Sequence, residues 1–78
     1  MRIKKLTECE LNKEYVIYEI NIKEKNLLQH LDNLFIKKNQ KIKLMFKSYK
    51  GNSFIIKSLG INYALDKNIC ENIIVYVA

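Results

Sequence analysis

Residues 41–59, KIKLMFKSYKGNSFIIKSL, decide the fold of this chain. Apolar and polar residues alternate on both sides of a polar turn at Tyr49–Asn52, and a period of two is typical of half-buried strands. The predicted inward set of the first strand is Ile42, Leu44 and Phe46, and the predicted outward set is Lys41, Lys43, Met45 and Lys47. Residues 54–59 are predicted to be the returning strand, so the stretch reads as a β-hairpin.

The segment that follows the hairpin predicts a further strand, a helical turn and a last strand. Gly60 is expected to break or bulge the strand before it. Beyond Gly60, the predicted inward residues are Ile61, Tyr63 and Leu65. Asp66 is a candidate N-cap for a single helical turn containing Ile69 and Cys70, because a carboxylate there accepts from free backbone amides. The last predicted strand contains Ile73, Val75 and Val77.

The segment that precedes the hairpin changes from strand to helix periodicity. Residues 15–22 alternate and predict a strand. One apolar stripe at helical spacing then follows, formed by Leu27, Leu28, Leu31, Leu34 and Phe35. The fold class is therefore mainly β, with about five strands, one inserted amphipathic helix and a short C-terminal helical turn. In 78 residues this content predicts one small, strongly bent barrel, since closure removes exposed strand edges.

Composition narrows the class of protein to a single small binding domain. The chain has twelve Ile, no Pro and only two Gly, so its turns must use the nine Asn. The chain has one His, no Ser-His-Asp set and no Gly-rich loop of the kind that binds phosphate. These features argue against an enzyme. Cys9 and Cys70 form no CxxC pair, and no secretory or membrane-spanning run is present, so we expect a cytoplasmic protein with two apolar thiols.

The charge of the chain is concentrated in its middle. The net charge is +6, and residues 33–65 contain seven Lys and no acidic residue. The predicted outward face with Lys41, Lys43, Lys47 and Tyr49 is a candidate docking patch for an acidic partner; its alternative is a solvated face with edge-protecting lysines. Nucleic acid is the less favoured partner, because the chain has one Arg and only Tyr49 and Tyr63 offer stacking.

The order of these landmarks resembles the FeoA family of ferrous iron transport proteins. The matching residues are the spaced Leu6 and Leu11, the helix leucines Leu27/Leu28, Leu31 and Leu34, and the hairpin Gly51. The closing signature is Gly60-Ile61-Asn62-Tyr63-Ala64-Leu65, then Cys70, Ile73 and Val75. The resemblance covers the whole chain and implies one SH3-like barrel domain over residues 1–78 with a helical insertion. Phe35 stands where the family has a helix-ending Gly, so we expect the helix to run on to Ile36.

The resemblance also implies a role and candidate residues. The implied role is accessory to ferrous iron uptake, by docking on the soluble G domain or cytoplasmic face of a FeoB-type permease, with membrane contact only through that partner and with homo-oligomerisation left open. An exposed apolar strip around Leu27, Leu59 or Ile61 is the alternative to the lysine face as a docking surface, because specific interfaces generally need a buried anchor. No cofactor is required, but weak binding of ferrous iron or another divalent transition metal is a secondary hypothesis, with His30, Asp32 and Glu71 as ligands. The alternative is a free-standing metal-responsive or nucleic-acid-binding SH3-like barrel.

Overall fold

The fold is one twisted sheet with two short helices. The computed structural model describes residues 2–78. The strands are β1 (Ile3–Lys5), β2 (Glu14–Ile20), β3 (Lys41–Lys47), β4 (Ser53–Ser58), β5 (Ile61–Asp66) and β6 (Ile73–Val77), and the helices are α1 (Lys25–Asn33) and α2 (Lys67–Glu71). All pairs are antiparallel, in the order β1-β6-β2-β3-β4-β5. The prediction of a mainly β fold with one inserted helix and a C-terminal turn is confirmed.

The strand number was one too low. Ile3–Lys5 is a strand of three residues that pairs with β6, and it leads into a 3₁₀ turn over Leu6–Glu8. Three residues are too few to show a period, so this strand exists because β6 offers it a partner. Asp66 caps α2 as expected, since its side chain accepts from the Ile69 amide at 2.9 Å.

One apolar cluster fills the space between the bent sheet and the helices. Its buried members are Leu6, Cys9, Tyr15, Ile17, Leu31, Ile36, Ile42, Leu44, Phe54, Ile56, Leu65, Cys70, Ile73 and Val75. These residues come from every strand except β1 and from both helices, so the core links the helices to the sheet. Such a small domain buries only about 60% of its unfolded surface, so most of its large aliphatic residues are needed inside.

A β-bulge in β3 changes the faces that the alternation predicted. Leu44 pairs with Ile56 but Phe46 pairs with Ile55, so Met45 is an extra residue in the ladder. Beyond it the alternation is inverted: Phe46 lies on the outer face and is 48% exposed. The prediction that Phe46 faces inward was wrong, because a bulge shifts every later side chain to the opposite face.

Helix α1 ends earlier than the sequence predicted. It stops at Asn33, and Phe35 takes a left-handed φ of 61°. The Phe35 amide donates to the Asp32 carbonyl at 3.0 Å and the Ile36 amide to the Leu31 carbonyl at 2.9 Å. This is a Schellman motif with Phe in place of Gly, and burial of Ile36 beside Leu31 supplies its apolar contact. The expected continuation to Ile36 was wrong because burying Ile36 outweighs the strain at Phe35.

A two-residue turn joins β4 to β5. Ser58 pairs with Ile61, and both Leu59 (φ 50°) and Gly60 (φ 80°) are left-handed, which is the signature of a type I′ hairpin turn. Gly60 therefore connects two strands and does not bulge one. Ile61, predicted to face inward, is opposite the buried Ser58 but is 54% exposed, because it lies at the end of the ladder beyond the core.

Replacing Leu59 with Asn should stabilise the domain by about 1 kcal/mol. A β-carbon-bearing Leu is strained at φ 50°, whereas Asn before Gly is the residue that type I′ turns prefer. For a domain of this size that gain raises Tm by roughly 4–8 °C in calorimetry. Leu59→Ala is the control for loss of the exposed side chain; an Asn variant no more stable than the Ala variant would contradict the strain argument.

Candidate partner-binding face

Three lysines meet on the outer face of the β3–β4 hairpin. Lys43 of β3 is directly opposite Lys57 of β4, and Lys41 lies two residues along β3 on the same face. We call these three residues the lysine row. Lys41 and Lys43 were predicted from the sequence to lie on this face, whereas Lys57 was not. Lys57 could have been found by pairing the two predicted hairpin strands, because the outward residues of β3 then lie beside the outward residues of β4.

The charges of the lysine row are only partly compensated. Lys41 Nζ lies 3.8 Å from Glu14 Oε1. Within residues 2–78, neither Lys43 nor Lys57 forms an ion pair. Both are half-buried, and like charges directly opposite each other on a sheet destabilise it, because their β-carbons are about 5 Å apart. An anionic group that binds between the two side chains would remove this repulsion.

A shallow groove runs beside the lysine row at the β4–β5 turn. It has a volume of about 540 Å³ and is open to solvent on one side. All three lysines line it, together with Glu14 and Leu59. Leu59 is 60% exposed and is held at the groove by the left-handed turn. The groove thus combines three ammonium groups and the single carboxylate of Glu14 with one exposed apolar side chain.

Two residues of the predicted docking patch lie elsewhere. Lys47 comes after the bulge, opposite the inward-facing Phe54, and its Nζ donates to the Thr7 carbonyl at 3.1 Å. The predicted common face of Lys41, Lys43 and Lys47 was therefore wrong for Lys47. Tyr49 is fully exposed in the turn between β3 and β4, away from the groove.

The proposed metal ligands are not brought together. His30 and Asp32 are exposed on α1. Glu71 lies on α2 and forms an ion pair with Lys67, whose Nζ is 3.6 Å from Glu71 Oε1. Across residues 2–78, no three side chains of His, Cys, Asp or Glu are grouped so that they could hold a metal ion. The metal hypothesis therefore gains no support from the positions of these residues.

The two cysteines are unreactive core residues. Desolvation by burial raises the pKa of Cys9 to about 11 and that of Cys70 to about 12. The Lys4 charge opposes this shift at Cys9, and the Asp66 charge adds to it at Cys70. The Cys9 thiol lies 3.6 Å from the Lys5 carbonyl. Both groups are protonated at neutral pH, so neither is a ready nucleophile or thiolate ligand.

Comparison with solved structures shows which proteins share this fold. Iron(II) transport protein A from Clostridium thermocellum matches with a TM-score of 0.87 and 19% identity, over 96% of this chain and 46% of that protein. The FeoA protein from Chlorobium tepidum matches with a TM-score of 0.85 and 19% identity, over 95% and 70%. A manganese-dependent transcriptional repressor reaches 0.86 with 10% identity, over 97% and 42%. At these identities the likeness shows the fold, which is the SH3-like fold of FeoA domains.

Sequence comparison identifies the family. None of the curated proteins matches the chain. The chain spans just under half of the Clostridium thermocellum protein that it resembles. Neither helix in residues 2–78 has the length and apolar character needed to cross a membrane. The FeoA domain profile matches residues 4–77, which is nearly the whole sequence, and the protein therefore belongs to the FeoA domain family.

Proposed function

We propose that this protein is an accessory component of ferrous iron uptake that docks on the soluble GTP-binding domain of a FeoB-type permease, at its cytoplasmic face. Membership of the FeoA family supports the link to ferrous iron transport. In this proposal the protein acts by binding and modulates the assembly or activity of the permease. It reaches the membrane only through that partner.

The observation that carries the docking surface is the cross-strand pairing of Lys43 with Lys57, neither of which forms an ion pair within residues 2–78. Lys43 and Lys57 are half-buried residues, and the one carboxylate beside them, that of Glu14 opposite Lys43 on β2, forms its ion pair with Lys41. Three lysines against one carboxylate favour an acidic partner surface, because binding it would relieve the repulsion between Lys43 and Lys57. The net charge of +6 adds long-range attraction that accelerates the encounter. The structural neighbours described as transcriptional repressors or regulators share only 10% to 15% identity with this chain, so they give no reason to prefer a regulatory role.

Charge reversal tests this surface. The variant Lys43→Glu with Lys57→Glu should weaken binding to the purified GTP-binding domain of a FeoB-type permease by roughly 10- to 100-fold, because both ammonium groups become repulsive. It should also flatten the salt dependence of binding. The measurement is titration calorimetry at 50 and 300 mM salt, with circular dichroism to confirm folding.

Two controls separate this surface from net charge. Lys23→Glu with Lys25→Glu changes the net charge equally, but Lys23 lies just before α1 and Lys25 is its first residue, both outside the lysine row. Lys47→Glu changes a lysine close in sequence but on the other side of the bulge. Both controls should keep wild-type affinity within about twofold. An undiminished affinity in the Lys43/Lys57 variant would reject the surface, and no binding of the wild-type protein would reject the function.

A further inference from the structure

A row of exposed apolar side chains lies beside the lysine row on the same face of the sheet. Phe46 is opposite Ile55, and Ile55 is opposite Ala64, so the row crosses β3, β4 and β5. Phe46 is 48% exposed, Ile55 is partly exposed and Ala64 is exposed. We call these residues the apolar row. It exists only because the bulge at Met45 turns Phe46 outward, which removes a large aromatic side chain from the core.

The two rows form one surface of defined polarity. Along β4, Lys57 of the lysine row and Ile55 of the apolar row are two residues apart, which is about 7 Å. The side chain of Ala64 is small and protrudes less from the sheet than that of Phe46. An apolar side chain of a partner can therefore pack against Ala64 and Ile55. The surface thus fits a ligand that carries an anionic group and an apolar side chain about 7 Å apart.

We infer that this face binds an acidic, amphipathic segment of a protein partner. One carboxylate of the segment would lie between Lys43 and Lys57, and one apolar side chain would cover Ile55 and Ala64 beside Phe46. Charge complementarity selects an acidic partner, and the apolar row supplies the buried anchor that a specific interface needs. The inference rests on the proposed function only for the identity of the partner.

The geometry favours a protein segment over the other anionic partners. Nucleic acid would be held by stacking between cations, and Phe46 is the single aromatic member of the lysine row and the apolar row. An anionic lipid surface would be met by protruding apolar residues, whereas Ile55 is partly buried and Ala64 is small. A carboxylate-bearing segment with an apolar side chain uses both rows at once.

The experiment uses the full chain labelled with nitrogen-15 and overlapping peptides that cover the cytoplasmic part of the FeoB-type permease. Peptides that contain Asp or Glu next to Leu, Ile or Phe should shift the amide signals of residues 43–46, 55–57 and 62–64. Vesicles of phosphatidylglycerol and a 12-nucleotide single-stranded DNA are the competing probes. Signal shifts from either probe at these residues, without shifts from any peptide, would overturn the inference.

Variants that keep every charge separate this inference from the docking proposal. Phe46→Ser and Ile55→Thr should each weaken the best peptide by about tenfold, because each removes part of the anchor but leaves Lys43 and Lys57 in place. Tyr49→Ser, at a fully exposed site off this face, should leave the peptide affinity unchanged. Thermal unfolding of each variant verifies that it is folded.

The outcomes are distinguishable. If the intact GTP-binding domain binds and depends on Lys43 and Lys57 but is indifferent to Phe46→Ser and Ile55→Thr, the docking proposal stands and the amphipathic inference is wrong. If the intact domain does not bind but acidic apolar peptides still occupy the two rows, the inference stands and the proposed function is wrong.

Discussion

Replacing Leu31 with alanine will lower the free energy of unfolding by about 3 kcal/mol. Leu31 is completely buried in the core, and Leu→Ala changes at such sites cost about 2–5 kcal/mol through lost burial and the cavity left behind. The same residue anchors the end of α1, because its carbonyl accepts from the Ile36 amide at 2.9 Å and its side chain packs in the same cluster as Ile36. Loosening this contact weakens the burial that holds Phe35 in its left-handed conformation.

Urea denaturation followed by circular dichroism measures this effect. A domain of this length has a total stability on the order of 4–12 kcal/mol, so the substitution removes a large fraction of it. Asn26→Ala, at an exposed position of the same helix, is the matched control and should change stability by less than about 0.5 kcal/mol. A loss below 1 kcal/mol for Leu31→Ala would show that α1 is only loosely packed on the sheet.

The domain is expected to lose stability steeply between pH 9 and about 12. The thiols of Cys9 and Cys70 ionise near 9.0 in the unfolded chain, whereas burial raises their folded-state pKa values to about 11 and about 12. Their contribution to stability is therefore fully present below pH 9. It is lost as the pH rises through the folded-state pKa values, because the unfolded state releases its thiol protons first. The rise in the pKa of Cys9 from 9.0 to about 11 corresponds to at most about 3 kcal/mol.

Stability measured from pH 8 to 11.5 in the wild type and in the Cys9→Ala, Cys70→Ala double variant isolates this effect. Tyr and Lys ionisations are common to both proteins, so the difference between the two curves reports the thiols. The wild type should lose stability with pH more steeply than the double variant, and most of the divergence should appear above pH 9. Parallel curves across the whole range would show that the thiols do not carry the alkaline transition.

Much of the fold could be predicted because its main signals are local. The stripe that contains Leu31 and Leu34 predicted α1, and the carboxylate of Asp66 predicted the cap of α2. Gly60 marked the position of a turn correctly, although the turn joins two strands. These features depend on residues three or four positions apart, or on the backbone freedom of one residue. They can therefore be predicted from the local sequence alone.

The candidate site was predictable only in part, since it depends on register. Alternation placed Lys41 and Lys43 on the outer face, and the structure agrees. Nothing in the period of β3 marks Met45 as the bulged residue, and a bulge at that one position moved Phe46 outward and Lys47 to the opposite side. Lys57 joined the site through pairing with Lys43, which no single strand reveals.

The sequence by itself determined the family, the mainly β class, the helix and the basic middle of the chain, because these depend on composition and on the order of short motifs. Only the tertiary structure decided where β3 bulges, that Phe35 takes a left-handed conformation, and that two lysines and an apolar row share one face. The physical reason is that burial is a property of the whole core. Burial of Ile36, Leu44 and Ile56 in one core stabilises the domain. This stabilisation offsets the backbone strain at Phe35 and Leu59 and the exposure of Phe46.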